Sequence, residues 1–231
     1  MEKSEMLNKV KGKLIVSCQA LEDEPLHGSQ VMAKMAVAAE QGGAAGIRAN
    51  GSDDIKAIKK VTNLPIIGLV KRNYEDSEVY ITATKKEIDE LLHAGVDMIA
   101  LDATRRKRPN DENLYDLINY IKQQGVLVLA DISTVEEGLR ALEDGADCVS
   151  TTLSGYTSYT KSEACGPDIG LVEELCRLTS QPVIAEGRVN KPEEVSMLLE
   201  KGAHAVVVGS AITRPQHITE KFVRALAVKH V

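Results

Sequence analysis

The chain has 231 residues, 43% of them hydrophobic and 27% charged, and a formal net charge of -6. That length suits one (β/α)8 domain with a large core, whereas the acidity removes any global counterion-release attraction to DNA or RNA. Aromatic residues make up only 3%, with no Trp, which argues against a base-stacking nucleic-acid surface.

Short runs rich in Val and Ile predict the strands, and 3.6-residue patterns predict the helices between them. In chain order, strand 14–17 leads to Cys18 and Gln19 and is followed by helix 28–41. Strand 45–48 ends on Arg48 before helix 52–61, and strand 65–71 ends on Lys71 before helix 85–93. Strand 98–102 ends on Asp102 before helix 113–124, and strand 126–131 ends on Asp131 before helix 134–144. Strand 148–152 precedes helix 170–179, strand 182–186 ends on Glu186 before helix 192–200, and strand 205–209 runs into Gly209-Ser210 before helix 215–229. In helix 134–144, Val135, Leu139 and Leu142 are spaced to share one face, with Glu136, Glu137 and Arg140 directed elsewhere. Met32 and Met35 read as core filler in helix 28–41.

The helices end on a recurring Gly-containing punctuation, as in Ala94-Gly95-Val96-Asp97 and Asp144-Gly145-Ala146-Asp147, and the next strand follows at once. Eight buried strands alternating with eight helices predict a single (β/α)8 TIM barrel over 1–231, with 1–11 as an N-terminal extension. A doubly wound open sheet is the alternative; it would set the strand tips in a row instead of a ring. Residues 1–13 lack an apolar signal core, and no apolar run reaches the roughly 18 residues of a membrane span. A cytoplasmic protein without membrane contact is expected. Cys18, Cys148, Cys165 and Cys176 show no metal-ligand spacing and read as reduced thiols, and the five His form no ligand pair, so no metal is expected.

The polar strand tips carry the chemistry. Gly187 and Arg188 follow one strand, and Gly209 and Ser210 follow the next. In barrels these last two loops commonly hold phosphate on backbone N–H groups, and Arg188 and Arg214 could add charge-assisted bonds. Lys71 could point into the pocket, where Arg48, Arg72 and partial desolvation would lower its pKa. A neutral amine there could take a proton from carbon or form a Schiff base; the plain alternative is a solvated rim lysine. Glu186 and Asp131 each follow Ala in a buried strand, where a carboxylate is costly unless paired or used. Asp131 could equally form a structural ion pair with Lys71 or Arg48. Asp102 with Thr104 could move protons or cap the loop that carries the basic run 105–108.

Several runs then match a family. Ser17-Cys18-Gln19-Ala20, Gly46-Ile47-Arg48-Ala49, Ile99-Ala100-Leu101-Asp102-Ala103-Thr104, Ala130-Asp131-Ile132-Ser133, Thr152-Leu153-Ser154-Gly155-Tyr156-Thr157 and Ala185-Glu186-Gly187-Arg188 resemble the N-acetylmannosamine-6-phosphate 2-epimerases of sialic acid catabolism. The resemblance runs from about Gly12 to the C-terminus. It implies a TIM barrel that interconverts N-acetylmannosamine 6-phosphate and N-acetylglucosamine 6-phosphate, with no cofactor. It implies Lys71 as acid/base with Glu186 as partner, substrate contacts from Gln19, Arg48 and Asp131, and a phosphate cradle of Gly187, Arg188, Gly209 and Ser210, with Arg214 added. A phosphorylated amino sugar is thus the expected ligand, and a homodimer the expected assembly. A Schiff-base aldolase using Lys71, or a non-catalytic sugar-phosphate-binding barrel, are the competing functions.

Overall fold

The computed structural model describes residues 3–161 and 165–226. Eight parallel strands close a barrel in sequence order: β1 Leu14–Cys18, β2 Gly46–Asn50, β3 Ile66–Leu69, β4 Met98–Asp102, β5 Leu127–Asp131, β6 Cys148–Ser150, β7 Val183–Glu186 and β8 Ala205–Val208. β8 pairs with β1, Ile15 opposite Val207, which excludes the open-sheet alternative. Alternate residues face the two sides of the closed sheet. Ile15, Ile67, Leu69, Leu129, Ile184 and Val207 fill the barrel, while Val16, Ile47, Ile66, Leu101, Val149 and Val206 pack outward under the helices.

Those helices are α2 Ser29–Gln41, α3 Ser52–Lys59, α4 Lys85–Ala94, α5 Leu114–Gln123, α6 Val135–Glu143, α7 Ile169–Leu178 and α8 Pro192–Glu200, each returning the chain to the next strand. Met32 of α2 is fully buried and Met35 packs against the core, as filler should. Gly68 in β3 admits a close approach: a Cβ there would lie 2.4 Å from a Val96 methyl and 3.0 Å from Leu91. Gly68→Ala therefore overpacks the β3–α4 layer, and the expected loss is about 1–3 kcal/mol in urea unfolding.

Four elements add to or depart from the sequence reading. Within the expected N-terminal extension, Lys3–Val10 form a helix, α1. Met6 and Val10 are buried in the barrel-interior cluster, and His204 pairs with the Leu7 carbonyl at 2.8 Å, so α1 closes the end where the strands begin. Strand 65–71 stops pairing in the barrel at Leu69; beyond it Thr82 N–H donates to the Val70 carbonyl and Arg72 N–H to the Tyr80 carbonyl. Strand 148–152 ends at Ser150 and tightens into a 3-10 turn, Thr151–Leu153. In α6 the core-facing residues are Gly138 and Ala141, with Val135, Leu139 and Leu142 only half-buried. Gly138 sits there because Leu175 of α7 packs directly over it. Glu137 is buried too, since it closes the capping box with Thr134 and accepts from Ser133 and the Arg105 N–H.

After β8 a short helix, α9 Ser210–Thr213, precedes α10 Pro215–Leu226. The predicted helix 215–229 is thus seen to Leu226, and its last three residues lie outside the described residues. No α10 residue is buried: Phe222 is 74% exposed and Leu226 84%. No helix among the described residues is long and apolar enough to cross a membrane.

Candidate active site

A cavity of about 390 Å³ opens where the strands end. Gln19, Arg48, Lys71, Glu186, Gly187, Arg188, Gly209, Ser210 and Arg214 all line it, so nine of the ten expected site residues converge on one space. That volume suits a small ligand. The tenth, Asp131, lies beneath the floor with no exposed surface.

Arg48 is the hub of the floor. It is 1% exposed, and its guanidinium takes Asp131 in a two-point pair, 3.1 Å to Oδ1 and 2.5 Å to Oδ2. The same Nη1 also pairs with Glu186. Two carboxylates share one cation, an arrangement only a forked guanidinium can hold in plane. Burial lifts the Asp131 carboxyl to about 6, against the pull of Arg48 and with the like charge of Glu186 adding to the rise. Asp131 therefore holds Arg48 in place and does not reach the cavity, which corrects the expectation of direct ligand contact. Asp131 ends β5, level with Asp102 and Ser150 at the ends of the flanking strands, and its carboxylate is taken up by Arg48 and by the Thr152 hydroxyl.

Lys71 stands alone. Its ammonium has no hydrogen-bond or ion-pair partner among the described residues, while its own N–H is anchored on the Asn50 side chain at 2.8 Å. Burial lowers its pKa to about 8, the Arg48 charge adds to the drop, and Glu186 partly offsets it. Roughly a quarter of such amines are neutral at pH 7.5.

The two arginines of the presumed anion cradle are largely engaged. Arg188 donates to the Ser154 carbonyl at 3.0 Å and the Gly166 carbonyl at 2.8 Å, tying the β6–α7 loop to the end of β7. Its backbone is left-handed, at φ 54°, and Gly155 makes room: a Cβ there would lie 1.8 Å from the Arg188 Nη1. Arg214 pairs with Glu24 and donates to the Ser210 hydroxyl at 2.8 Å. Beside these two arginines, Gly187, Gly209 and Ser210 line the same cavity.

Asp102 caps its own loop, as one of its two readings had it. It accepts from the Thr104 N–H at 2.9 Å and from Arg106 at 2.6 Å. The basic run does not line the central cavity: Arg108 is buried on the Ala83 carbonyl, Arg105 lies over the Tyr159 ring, and Lys107 pairs with Asp111 at the surface. Sequence reasoning assigned no role to Thr152, Tyr80 or Tyr156, which line the cavity. Thr152 was visible within a matching run, but its 3-10 turn hid its direction. Burial raises the Tyr80 phenol, with the charges of Asp102 and Asp131 adding.

With these groups at the carboxyl ends of its strands, the molecule falls in the class of (β/α)8 barrels whose rim holds a small polar ligand among acid–base side chains. Comparison with known proteins narrows the class. Residues 32–228 match the family described as "Putative N-acetylmannosamine-6-phosphate epimerase", and the chain belongs to that family. It is 63% identical over 223 residues to a "Putative N-acetylmannosamine-6-phosphate 2-epimerase" of Clostridioides difficile (strain 630), covering 96% of this chain and all of that one. Its fold overlays the solved N-acetylmannosamine-6-phosphate 2-epimerase from Clostridium perfringens with a TM-score of 0.93 at 60% identity, covering 95% of this chain and 96% of that one. A thiamine phosphate pyrophosphorylase from Pyrococcus furiosus, 18% identical with a TM-score of 0.60, covers 93% of this chain and 98% of that one and shares the fold.

Proposed function

We propose that the protein interconverts N-acetylmannosamine 6-phosphate and N-acetylglucosamine 6-phosphate by removing and returning the proton at C2. Family membership supports the substrate. The observation that carries the mechanism is an unpaired lysine with its pKa near 8, facing a cavity that Glu186 also lines. The C2 proton is acidic only when C1 is an aldehyde, so the sugar ring opens first. One base then takes the proton to give an enolate, and reprotonation on the other face completes inversion. Lys71 and Glu186 serve as the acid–base pair, and Arg48 supplies positive charge beside the developing enolate. The backbone N–H groups at Gly187-Arg188 and Gly209-Ser210, with the Ser210 hydroxyl and Arg214, receive the phosphate, and Gln19 is a further substrate contact. The four free thiols suit a reducing compartment, and we place the enzyme in the cytoplasm.

The pair has a pH signature. If Lys71 gives and Glu186 takes, or the reverse, the working enzyme carries one proton between them in both directions. Above about 8 Lys71 loses that proton, so kcat/KM should fall with a limb near the lysine pKa. A single swinging Lys71 would need the neutral amine in both directions, and kcat/KM would instead rise to a plateau through the same pH. The substrate phosphate titrates near 6 and leaves the upper limb clear. A profile measured from pH 6 to 10 checks the sign. A lysine of lowered pKa also suits a Schiff base; borohydride added with the sugar phosphate should leave no adduct on Lys71, and a trapped adduct would favour the aldolase reading.

The exposed apolar face of α10 supports a homodimer. Phe222, Val223 and Leu226 stand clear of the barrel, next to an apolar groove lined by Leu14, Pro192, Val195, Val208 and Ile212. Two copies can bury both features against each other. Light scattering should give twice the 25.0 kDa chain mass, and Phe222→Glu should shift it to the single-chain value.

A further inference from the structure

Thr152 sits at the centre of the charged floor. Its Oγ1 lies 2.9 Å from Asp131 Oδ1, 3.0 Å from Glu186 Oε2, 3.2 Å from Arg48 Nη1 and 2.8 Å from Ser150 Oγ. A threonine hydroxyl has two lone pairs and one hydrogen. Arg48 can only donate, so it takes one lone pair. Ser150 faces no acceptor except Thr152 in its hydrogen bonding among the described residues, so it donates into the other. The single Thr152 hydrogen is then left for a carboxylate, and there are two. Next to it, Thr151 holds the Glu186 main chain at both ends: it accepts from the N–H at 3.1 Å and donates to the carbonyl at 2.9 Å. Glu186 Oε2 is thereby fixed on Arg48 and Thr152, while Oε1 has no partner among the described residues and belongs to a side chain that lines the cavity.

We infer that Thr152 is a positioning residue that couples Glu186 to Asp131, its one hydroxyl hydrogen turning to Glu186 when that carboxylate is charged and to Asp131 when Glu186 holds a proton. The inference rests on the acid–base role proposed for Glu186. Proton exchange with the sugar takes place at Oε1; the Thr152 hydrogen never leaves its oxygen. As Glu186 is protonated, Asp131 becomes the only anion facing Arg48, and a rotation about one C–O bond gives it the donor that Glu186 no longer needs. The charge on the floor changes without any heavy atom moving.

Thr152→Val keeps the shape and removes the hydroxyl, and Thr152→Ser keeps the hydroxyl. In Thr152→Val kcat should fall about 10- to 100-fold with KM within about threefold, because the hydroxyl removed is bonded to Asp131, Glu186, Arg48 and Ser150. Thr152→Ser should restore kcat. A second readout needs no substrate: carbon-13 titration of the Asp131 carboxyl, which burial raises to about 6 in the wild type and which Asp131→Asn assigns. Thr152→Val should raise the Asp131 midpoint further, because the Thr152 hydrogen bond lowers it, and Thr152→Ser should return it. Should the wild type fail to turn over the sugar, the proposed function falls and the ligand-free titration alone decides the coupling. An unshifted Asp131 midpoint in Thr152→Val, or a Thr152→Ser variant as impaired as Thr152→Val, would overturn it.

Discussion

Lys71→Ala should lower kcat/KM by about 10²- to 10⁴-fold, the range that a positioned acid–base group supplies. The chain should stay folded, because the lysine side chain makes no hydrogen bond or ion pair among the described residues. Removing a partly desolvated charge beside Arg48 should leave the melting temperature unchanged or raise it slightly. Product formation followed by proton NMR, with a thermal melt alongside, separates the two effects. A variant that melts early and loses activity would place Lys71 in the scaffold instead. Lys71→Arg should not rescue turnover, since a guanidinium stays charged at any working pH.

Arg48→Met should be the most destabilising single change in the site. Among the described residues its guanidinium is the only cation bonded to Asp131, which has no exposure, and it also holds Glu186. Leaving a buried carboxylate unpaired costs about 3–5 kcal/mol, which in a chain of this size lowers Tm by roughly 10 °C. The loss should ease as pH falls. Asp131, already lifted to about 6 by burial, can then take up a proton and shed the unpaired charge. Adding Asp131→Asn to Arg48→Met should recover part of the stability near neutral pH, and the double-mutant cycle measures how much. Arg48→Lys should behave more like Met than like Arg, because an ammonium cannot bridge two carboxylates and a threonine in one plane.

The barrel was legible because each unit repeats the same physics: an apolar run, a polar tip, an amphipathic helix and a Gly-containing turn. Lys71, Arg48 and Glu186 stood out because each interrupts an apolar strand at its carboxyl end, where burial makes a charge costly. What could not be read were relations across the ring. Asp131 is a strand tip like the others, yet its carboxylate is taken up by Arg48 and Thr152 and leaves no surface in the cavity. Arg188 looks like a phosphate ligand, yet Gly155 in the preceding loop lets its guanidinium fold onto the Ser154 carbonyl. Thr152 carries no charge, so only its neighbours reveal it. Helix α1 hides in a charged segment because two residues, Met6 and Val10, suffice to plug the barrel end. Glu137 resembles a solvated helix charge until its capping box turns it inward.

In the proposed mechanism Lys71 and Glu186 move the proton at C2 between them. It is tested most directly by proton NMR of N-acetylmannosamine 6-phosphate incubated with the enzyme in deuterated water. N-acetylglucosamine 6-phosphate carrying deuterium at C2 should appear from the first turnovers, and Lys71→Ala should give neither product nor exchange beyond a trace. Product that keeps its original C2 proton, or wild-type exchange in Lys71→Ala, would contradict it.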